Sequence, residues 1–260
     1  MITFFDIPST ISSNAWSLNT WRTRFALNYK GLPYKTEWVE YPDIAGKLKG
    51  HGIGPTGHYP DGSPYYSLPA IIDIDDATGE RKAAVANSFD IAKYLDEAYP
   101  DAPKLFPHGD KDQAMERFVK GWPLMWEPLY IIAFKATYPK LNPASQPHFT
   151  VARAKDLQDV YPGKERLEDM PLSPEERAES WKKVKACFDV LEEKVKGTDD
   201  KGQWYLGDEI SFADMVIGGL LVWLKAIFGE DSVEWRDIQK WNDGRWNKFL
   251  EGLKDFQNVD

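Results

Sequence analysis

A polar side chain just ahead of a helix can do one of two things: cap that helix, or hold an anion against its N-terminus. The first hundred residues offer this arrangement twice. Ser17 stands before Leu18-Asn19-Thr20-Trp21-Arg22, and Asn87-Ser88 stands before Phe89-Asp90-Ile91. Between them an isolated Pro69 leads into the apolar run Ala70 to Ile74. Taken singly, each has a plain structural explanation. Ser17 and Asn87-Ser88 read as helix caps, and Pro69 reads as the first residue of an edge strand.

Other residue patterns suggest chemistry less well. Gly52-Ile53-Gly54-Pro55-Thr56-Gly57 has the spacing of a dinucleotide-binding fingerprint. That fingerprint works between a strand and a helix whose N-terminus receives the pyrophosphate. Here the segment follows Lys-rich sequence and precedes Pro60, Gly62 and Pro64, which do not open a helix, so it reads as an irregular loop. The four histidines, at 51, 58, 108 and 148, lack metal-site spacing, and no metal is expected. The lone Cys187 falls inside a helical pattern beside Phe188, where an inert buried thiol is the ordinary outcome.

The elements that must position these residues alternate over the first hundred positions. Ile2 to Phe5 reads as a buried strand, and Trp21, Phe25 and Tyr29 share a helical face that ends at Lys30-Gly31. Lys35 to Tyr41 reads as a second strand, Ile44 to Lys49 as a short helix, and Gly50 to Pro64 as neither. Ala70 to Ile74 and Arg81 to Ala86 form a hairpin around Asp75–Gly79, and Ile91, Tyr94, Leu95 and Ala98 form the core stripe of a helix. The order predicts a mixed sheet with packed helices over residues 1–100. Residues 101–112 read as a linker and 113–260 as an all-α domain, with a long helix carrying Trp122, Met125, Trp126, Leu129 and Tyr130 across Pro123 and Pro128. Ser173-Pro174-Glu175-Glu176 is a capping box. In Ile210-Ser211-Phe212-Ala213-Asp214-Met215, Ser211 caps, Asp214 reaches back, and Ile210 staples against Met215.

Composition narrows the function classes. The 260 residues suit two domains, and 32 basic against 41 acidic residues leave a net charge of −9. A chain this acidic lacks the footprint that neutralises phosphates, so no nucleic-acid partner is expected. A single cysteine excludes an intramolecular disulfide and points to a reducing, cytoplasmic setting. The start, Met1-Ile2-Thr3-Phe4-Phe5-Asp6, carries no secretory pattern, and Met215 to Leu224 is too short an apolar stretch to span a membrane.

Four segments taken in order resemble the cytosolic glutathione transferases over nearly the whole chain. Ser17-Leu18-Asn19-Thr20-Trp21-Arg22 resembles the serine motif that opens the first helix of serine-type members, and Ser67-Leu68-Pro69-Ala70-Ile71 resembles the family's cis-proline loop. The stretch from Asn87 to Leu95 is similar to its acidic-Ser-x-x-Ile-x-x-Tyr-Leu segment, and Ile210 to Asp214 is similar to its capping box with staple. Trp21 to Gly31, Tyr94 to Pro100 and the long Gly54 to Tyr66 loop resemble the β-aryl-etherase-related branch, its fungal members above all. Two residues depart from the pattern: Leu18 replaces a frequent proline, and Asn87 replaces the acidic residue that helps hold the γ-glutamyl ammonium, which implies a modest affinity for glutathione.

The resemblance implies α/β plus all-α architecture: a thioredoxin-like N-terminal domain followed by an all-helical glutathione-transferase C-terminal domain, in a homodimer. It implies glutathione as co-substrate, with the Ser17 hydroxyl donating to its thiolate. A cis Leu68-Pro69 bond would turn the Leu68 N–H and C=O toward the cysteinyl backbone and Ser88 would take the γ-glutamyl carboxylate, with Asn19 and Asn87 in the same site. Lys49 and His58 are the expected partners of the glycyl carboxylate. Trp122, Met125, Trp126 and Tyr130 are the expected walls of a pocket for hydrophobic aromatic molecules, while Ser211 and Asp214 have a structural capping role. The activity implied is attack on aromatic electrophiles or cleavage of activated ethers and thioethers, in detoxification of wood-derived compounds. The alternative is a ligandin-like carrier of polyphenols, which would use the same residues. A family fold without glutathione binding is disfavoured by the joint presence of Ser17, Pro69 and Ser88, and thiol chemistry of the omega type by serine standing where cysteine is expected.

Overall fold

The computed structural model describes residues 1–59, 62–196 and 202–259. Strand β1 (Ile2–Asp6) is buried almost throughout, as its run of Ile2, Phe4 and Phe5 demands, and it takes a central place in a four-stranded sheet. Its neighbours are β2 (Tyr34–Trp38), parallel, and β5 (Ala70–Ile74), antiparallel; β6 (Arg81–Ala86) pairs antiparallel with β5, so the sheet order is β2-β1-β5-β6. The parallel β1/β2 pair requires a crossover, supplied by α1 (Leu18–Tyr29), and Gly31 at φ +64° turns the chain out of that helix.

Strand β2 stops at Trp38, short of the expected Tyr41. Pro42 has no N–H to continue a ladder, and Tyr41–Asp43 winds instead into a 3-10 turn that leads to α2 (Ile44–Gly50). The Gly- and Pro-rich stretch beyond is not wholly irregular, because β3 (Gly57–His58) and β4 (Pro64–Tyr65) form a two-residue ladder. A Cβ on Gly57 would lie 2.5 Å from the Tyr65 ring, so the last glycine of the would-be nucleotide motif serves to let an aromatic ring lie flat on the hairpin.

Helix α3 (Ser88–Ala98) follows the sheet, and α4 (Gly109–Met125) begins within the segment expected to be a linker. The expected single long helix is two helices. It breaks at Trp126 (φ −104°, ψ 11°), and α5 (Glu127–Thr137) restarts with Pro128 in its first turn, where a missing N–H costs nothing. Then come α6 (Gln146–Asp156), α7 (Pro174–Lys196), α8 (Phe212–Phe228) and α9 (Val233–Gly252), the last interrupted by non-helical backbone at Trp241–Gly244. Ser173 and Glu176 exchange the two hydrogen bonds of a capping box at the start of α7. No helix among the described residues is long and apolar enough to cross a membrane.

A buried and a half-buried carboxylate hold this frame. Asp6 at the end of β1 meets Arg24 of α1 at 2.9 Å, both side chains fully buried, and the guanidinium lies 5.0 Å from the Phe4 ring centre and 5.6 Å from that of Trp38. Removing one member of such a pair leaves an uncompensated buried charge, a loss of about 3–5 kcal/mol. Asp96 of α3 accepts from the Lys30 ammonium at 2.8 Å and from the Leu105 and Phe106 amides, and Leu105 in turn accepts from Phe212 N–H at 2.9 Å. The connection between the domains is thereby tied at both ends.

The domains meet chiefly where α1 lies against α8. A Cβ on Gly219 would fall 2.6 Å from the Leu18 carbonyl oxygen, and one on Gly218 would fall 2.6 Å from Leu253 Cδ1 and 3.1 Å from the Phe25 ring. At Gly219 the approach is to backbone and admits no side chain, whereas at Gly218 it is to the Leu253 and Phe25 side chains. Gly219→Ala should destabilise the protein by about 1–3 kcal/mol, since the obstructing atom is main chain and must be displaced with its helix. The control is Gly46→Ala, in α2 with open space around it, which should leave stability unchanged or raise it by about 0.4–1 kcal/mol. Paired urea titrations check this, and equal midpoints for the two variants would contradict the close-packing account.

At the start of α8, Asp214 is fully buried and accepts three hydrogen bonds, from Ser211 N–H, Ser211 Oγ–H and Tyr205 N–H, each 2.8 Å long. Burial raises its carboxyl to about 6, although these three donors all favour the charged form. In the unfolded chain the same group titrates near 4, so the proton-linked stabilisation is complete below pH ~4 and is lost as pH rises through ~6. Asp214→Asn has no proton to lose. The stability of the parent protein relative to this variant should therefore fall by roughly 2–3 kcal/mol between pH 4 and pH 7, as read by denaturant unfolding across that range. A flat difference would show that the Asp214 carboxyl titrates over the same pH range in the folded and unfolded chain.

Candidate active site

Ser17 precedes α1 with an extended backbone (φ −70°, ψ 127°), and its carbonyl accepts from Trp21 N–H at 2.9 Å and from Thr20 Oγ1 at 3.1 Å. Its hydroxyl makes no capping bond with the helix. The residue is buried yet lines a cavity of about 360 Å³, so the hydroxyl is available to whatever occupies that space. Asn19, His58, Tyr66, Ser67 and Leu68 line the same cavity from the first domain, and Tyr41 stacks on His148 of α6 across it, ring centres 5.6 Å apart. Burial lowers the His148 imidazole below its ordinary value, with Arg153 and Lys155 acting in the same direction.

Leu68-Pro69 is a cis peptide bond. The Pro69 carbonyl accepts from Asn87 N–H at 3.1 Å, while the Leu68 main chain makes no hydrogen bond among the described residues. A buried backbone unit left unpaired beside a cavity has one donor and one acceptor to offer an extended ligand backbone.

The remaining expected residues of this half lie further out. Asn87 sits at φ +77° and its side chain accepts from Phe89 N–H, so it does cap α3. Ser88 is buried in the first turn of that helix. Neither lines the cavity that Ser17 lines. Lys49 is exposed, its ammonium 5.1 Å from the centre of the Tyr66 ring, which places it at the rim.

A second cavity, of about 460 Å³, adjoins the first; Asn19, Tyr65, Arg153 and Asp156 line both. Its walls come from α1 (Leu18, Arg22), from the α4–α5 break and from Leu220 and Trp223 of α8. Of the expected aromatic wall, Trp122, Trp126 and Tyr130 line it and Met125 does not. Trp126 contributes only an edge, since it is 1% exposed and packs on Phe188 with ring centres 4.9 Å apart. Tyr130 stacks on Phe134 at 5.3 Å and donates its hydroxyl to the Pro123 carbonyl at 2.7 Å, across the break between the helices. Burial pushes the Tyr130 phenol up to about 12, despite the opposing effect of Arg22.

Sequence reasoning missed Tyr41, Tyr65, His148, the Arg153–Asp156 pair (2.8 Å) and Arg22. Only Arg22 had a local signal. It lies four residues beyond Leu18, on the helical face that starts beside Ser17. The α6 residues reach the cleft through the packing of the second domain, which ties α6 to the first domain through hydrogen bonds from Asn142 and Ser145 to Glu40.

A mixed sheet with a cis-proline turn, joined to a helical domain across an aromatic-walled cleft, defines a two-domain transferase scaffold with one polar and one apolar subsite. Comparison with known proteins agrees. Residues 16–98 match the glutathione S-transferase N-terminal domain and residues 114–256 the glutathione S-transferase C-terminal domain. Among solved structures, a glutathione S-transferase of Ceriporiopsis subvermispora in complex with glutathione is 39% identical, with coverage of 100% of this chain and 98% of that one and a TM-score of 0.87. Glutathione transferase GSTFuA3 from Phanerochaete chrysosporium is 35% identical over 100% and 98% of the two chains, with a TM-score of 0.86. The glutathione S-transferase-like protein ustS of Aspergillus flavus is 29% identical over 94% of this chain and 86% of its own length. The chain belongs to the glutathione S-transferase family.

Proposed function

We propose that this protein is a serine-type glutathione transferase of the etherase-related fungal kind, which activates the thiol at Ser17 and presents it to an aromatic acceptor in the adjoining cavity. The observation that carries the reading is the uncommitted Ser17 hydroxyl beside the start of α1, in a cavity that shares four lining residues with an aromatic one. The fit of the tripeptide is supported by the unpaired Leu68 main chain, which suits its cysteinyl backbone. Ser88 at the first turn of α3 suits the γ-glutamyl carboxylate, and His58 or Lys49 at the rim suits the glycyl one. Asn87 spends its side-chain oxygen on the helix cap, which leaves the γ-glutamyl ammonium without a local carboxylate from that position.

Lowering a thiol from about 8.5 by two units takes roughly 2.7 kcal/mol of preference for the thiolate. A hydroxyl hydrogen bond to a charged sulfur supplies about 1.5–3 kcal/mol, and the N-terminus of α1 adds about 0.3–1 kcal/mol. Ser17 donates its proton in a hydrogen bond and is not itself the nucleophile. The acceptors that fit are flat, hydrophobic electrophiles or activated aryl ethers and thioethers, and compounds released from wood are one source of these. A polyphenol carrier with little turnover uses the same cleft, and the aromatic walls at Trp122 and Tyr130 are what favour it.

Ser17→Ala should lower thiol transfer to an aryl halide at neutral pH by at least tenfold, with the pH–rate profile moved upward and the fold intact because no cap is lost. Unchanged turnover over the whole pH range would remove Ser17 from the mechanism. The family kinship also supports a homodimer. Light scattering at micromolar concentration should then give twice 29.8 kDa, and a mass near the single value would rule it out.

A further inference from the structure

The apolar cavity has an unexpected electrical character. Its charged lining groups are Arg22, Arg153 and Asp156, and Asp156 is paired with Arg153 at 2.8 Å. Two cations against one carboxylate leave one positive charge, and that charge is Arg22. Its guanidinium forms no ion pair or hydrogen bond among the described residues, and its Nε is buried without a partner. In a chain of net charge −9, an unpaired arginine on the wall of a cavity is not a consequence of overall composition. Arg22 is half-buried, so its charge is only partly hydrated, and an anionic ligand in the cavity would supply the counter-charge it lacks.

No competing anion stands free on this wall, since Asp156 is held by Arg153 and Tyr130 directs its hydroxyl to the Pro123 carbonyl. An aromatic-walled space with one surplus positive charge is complementary to a flat ring bearing an anionic oxygen group. Arg22 stays charged at neutral pH even though burial lowers it to about 10.

We propose that the acceptor cavity selects aromatic carboxylates, with the carboxylate received by Arg22 and the ring lying against Trp122 and Tyr130. This deepens the transferase reading by naming the class of acceptor, and it applies equally to a carrier. It places the anion in the cavity of α1 and α8, apart from the space that Ser17 and Leu68 line. Arg22 thus acts as a specificity residue, discriminating against neutral aromatics of the same size.

The test uses a matched pair of probes, 2-naphthoate and 2-naphthamide, titrated calorimetrically into the full chain at pH 7, with and without saturating glutathione. Naphthoate should bind at least tenfold more tightly than naphthamide, and glutathione should leave that preference in place. Arg22→Gln should weaken naphthoate at least tenfold and change naphthamide less than twofold, while Arg22→Lys should recover part of the preference. Equal affinities of the two probes for the parent protein, or no binding of either, would overturn the proposal without reference to any variant. Displacement of naphthoate by glutathione would overturn it as well, because the anion would then occupy the polar cavity. Absence of glutathione binding, read in a separate titration, would sink the transferase reading alone and leave the carboxylate preference to be judged on the probes.

Discussion

The close approach of α1 and α8 is the constraint on which the rest of this structure depends. Gly219 brings α8 against the main chain at the first turn of α1 with no side chain between them, and Gly218 leaves room for the Phe25 ring and the Leu253 side chain. One helix, α1, thereby serves two cavities at once. Its N-terminal end presents Ser17 to the polar one, and Leu18 and Arg22 face the aromatic one. Leu220, next to the glycines, and Trp223, one turn beyond them, close the floor of the aromatic cavity from α8. A wider separation of the helices would open that floor to solvent and part the two cavities.

Several polar ties keep this contact in register. Asp6 and Arg24 lock α1 to the sheet from inside the first domain, where neither group can find water in exchange. Asp96 fixes the end of α1 and the interdomain segment through Lys30, Leu105 and Phe106, and Leu105 passes the constraint to the start of α8. On the opposite side of the cleft Glu40 accepts from Asn142 and Ser145, and Thr10 N–H donates to the Lys140 carbonyl at 2.8 Å. Apart from the exposed Thr10 contact these bonds are buried or half-buried, so they set the angle between the domains where apolar contact alone would tolerate sliding.

Much of the fold was legible from local pattern. The spacing of Trp21, Phe25 and Tyr29, the hairpin around Asp75–Gly79 and the capping boxes at Ser173 and Ser211 each depend on interactions within a few residues, and each element is present. The reading failed where proline acted. Pro42 ended β2 early, and Pro128 turned one expected helix into two by restarting it after Trp126. That break has a consequence for the site, because it sets Trp122 and Tyr130 on two separate helices that converge on one cavity, with Met125 outside it. A periodicity argument treats the five positions as one face and cannot make this distinction.

By itself, the sequence determined which residues could do the chemistry and which elements carry them: a serine ahead of a helix, a proline ahead of a strand, a capped helix start and an acidic chain with one cysteine. These are properties of residue type and short-range spacing, which the backbone obeys locally. Only the tertiary structure decided what each group is left free to do. It released the Ser17 hydroxyl from the capping role that its position suggests, and spent Asn87 on that role. It brought Tyr41, His148 and Arg153 from distant segments to one cleft, and it left Arg22 without a counter-charge. Whether a polar group is satisfied depends on every element packed around it, and that information arises only when the chain closes on itself.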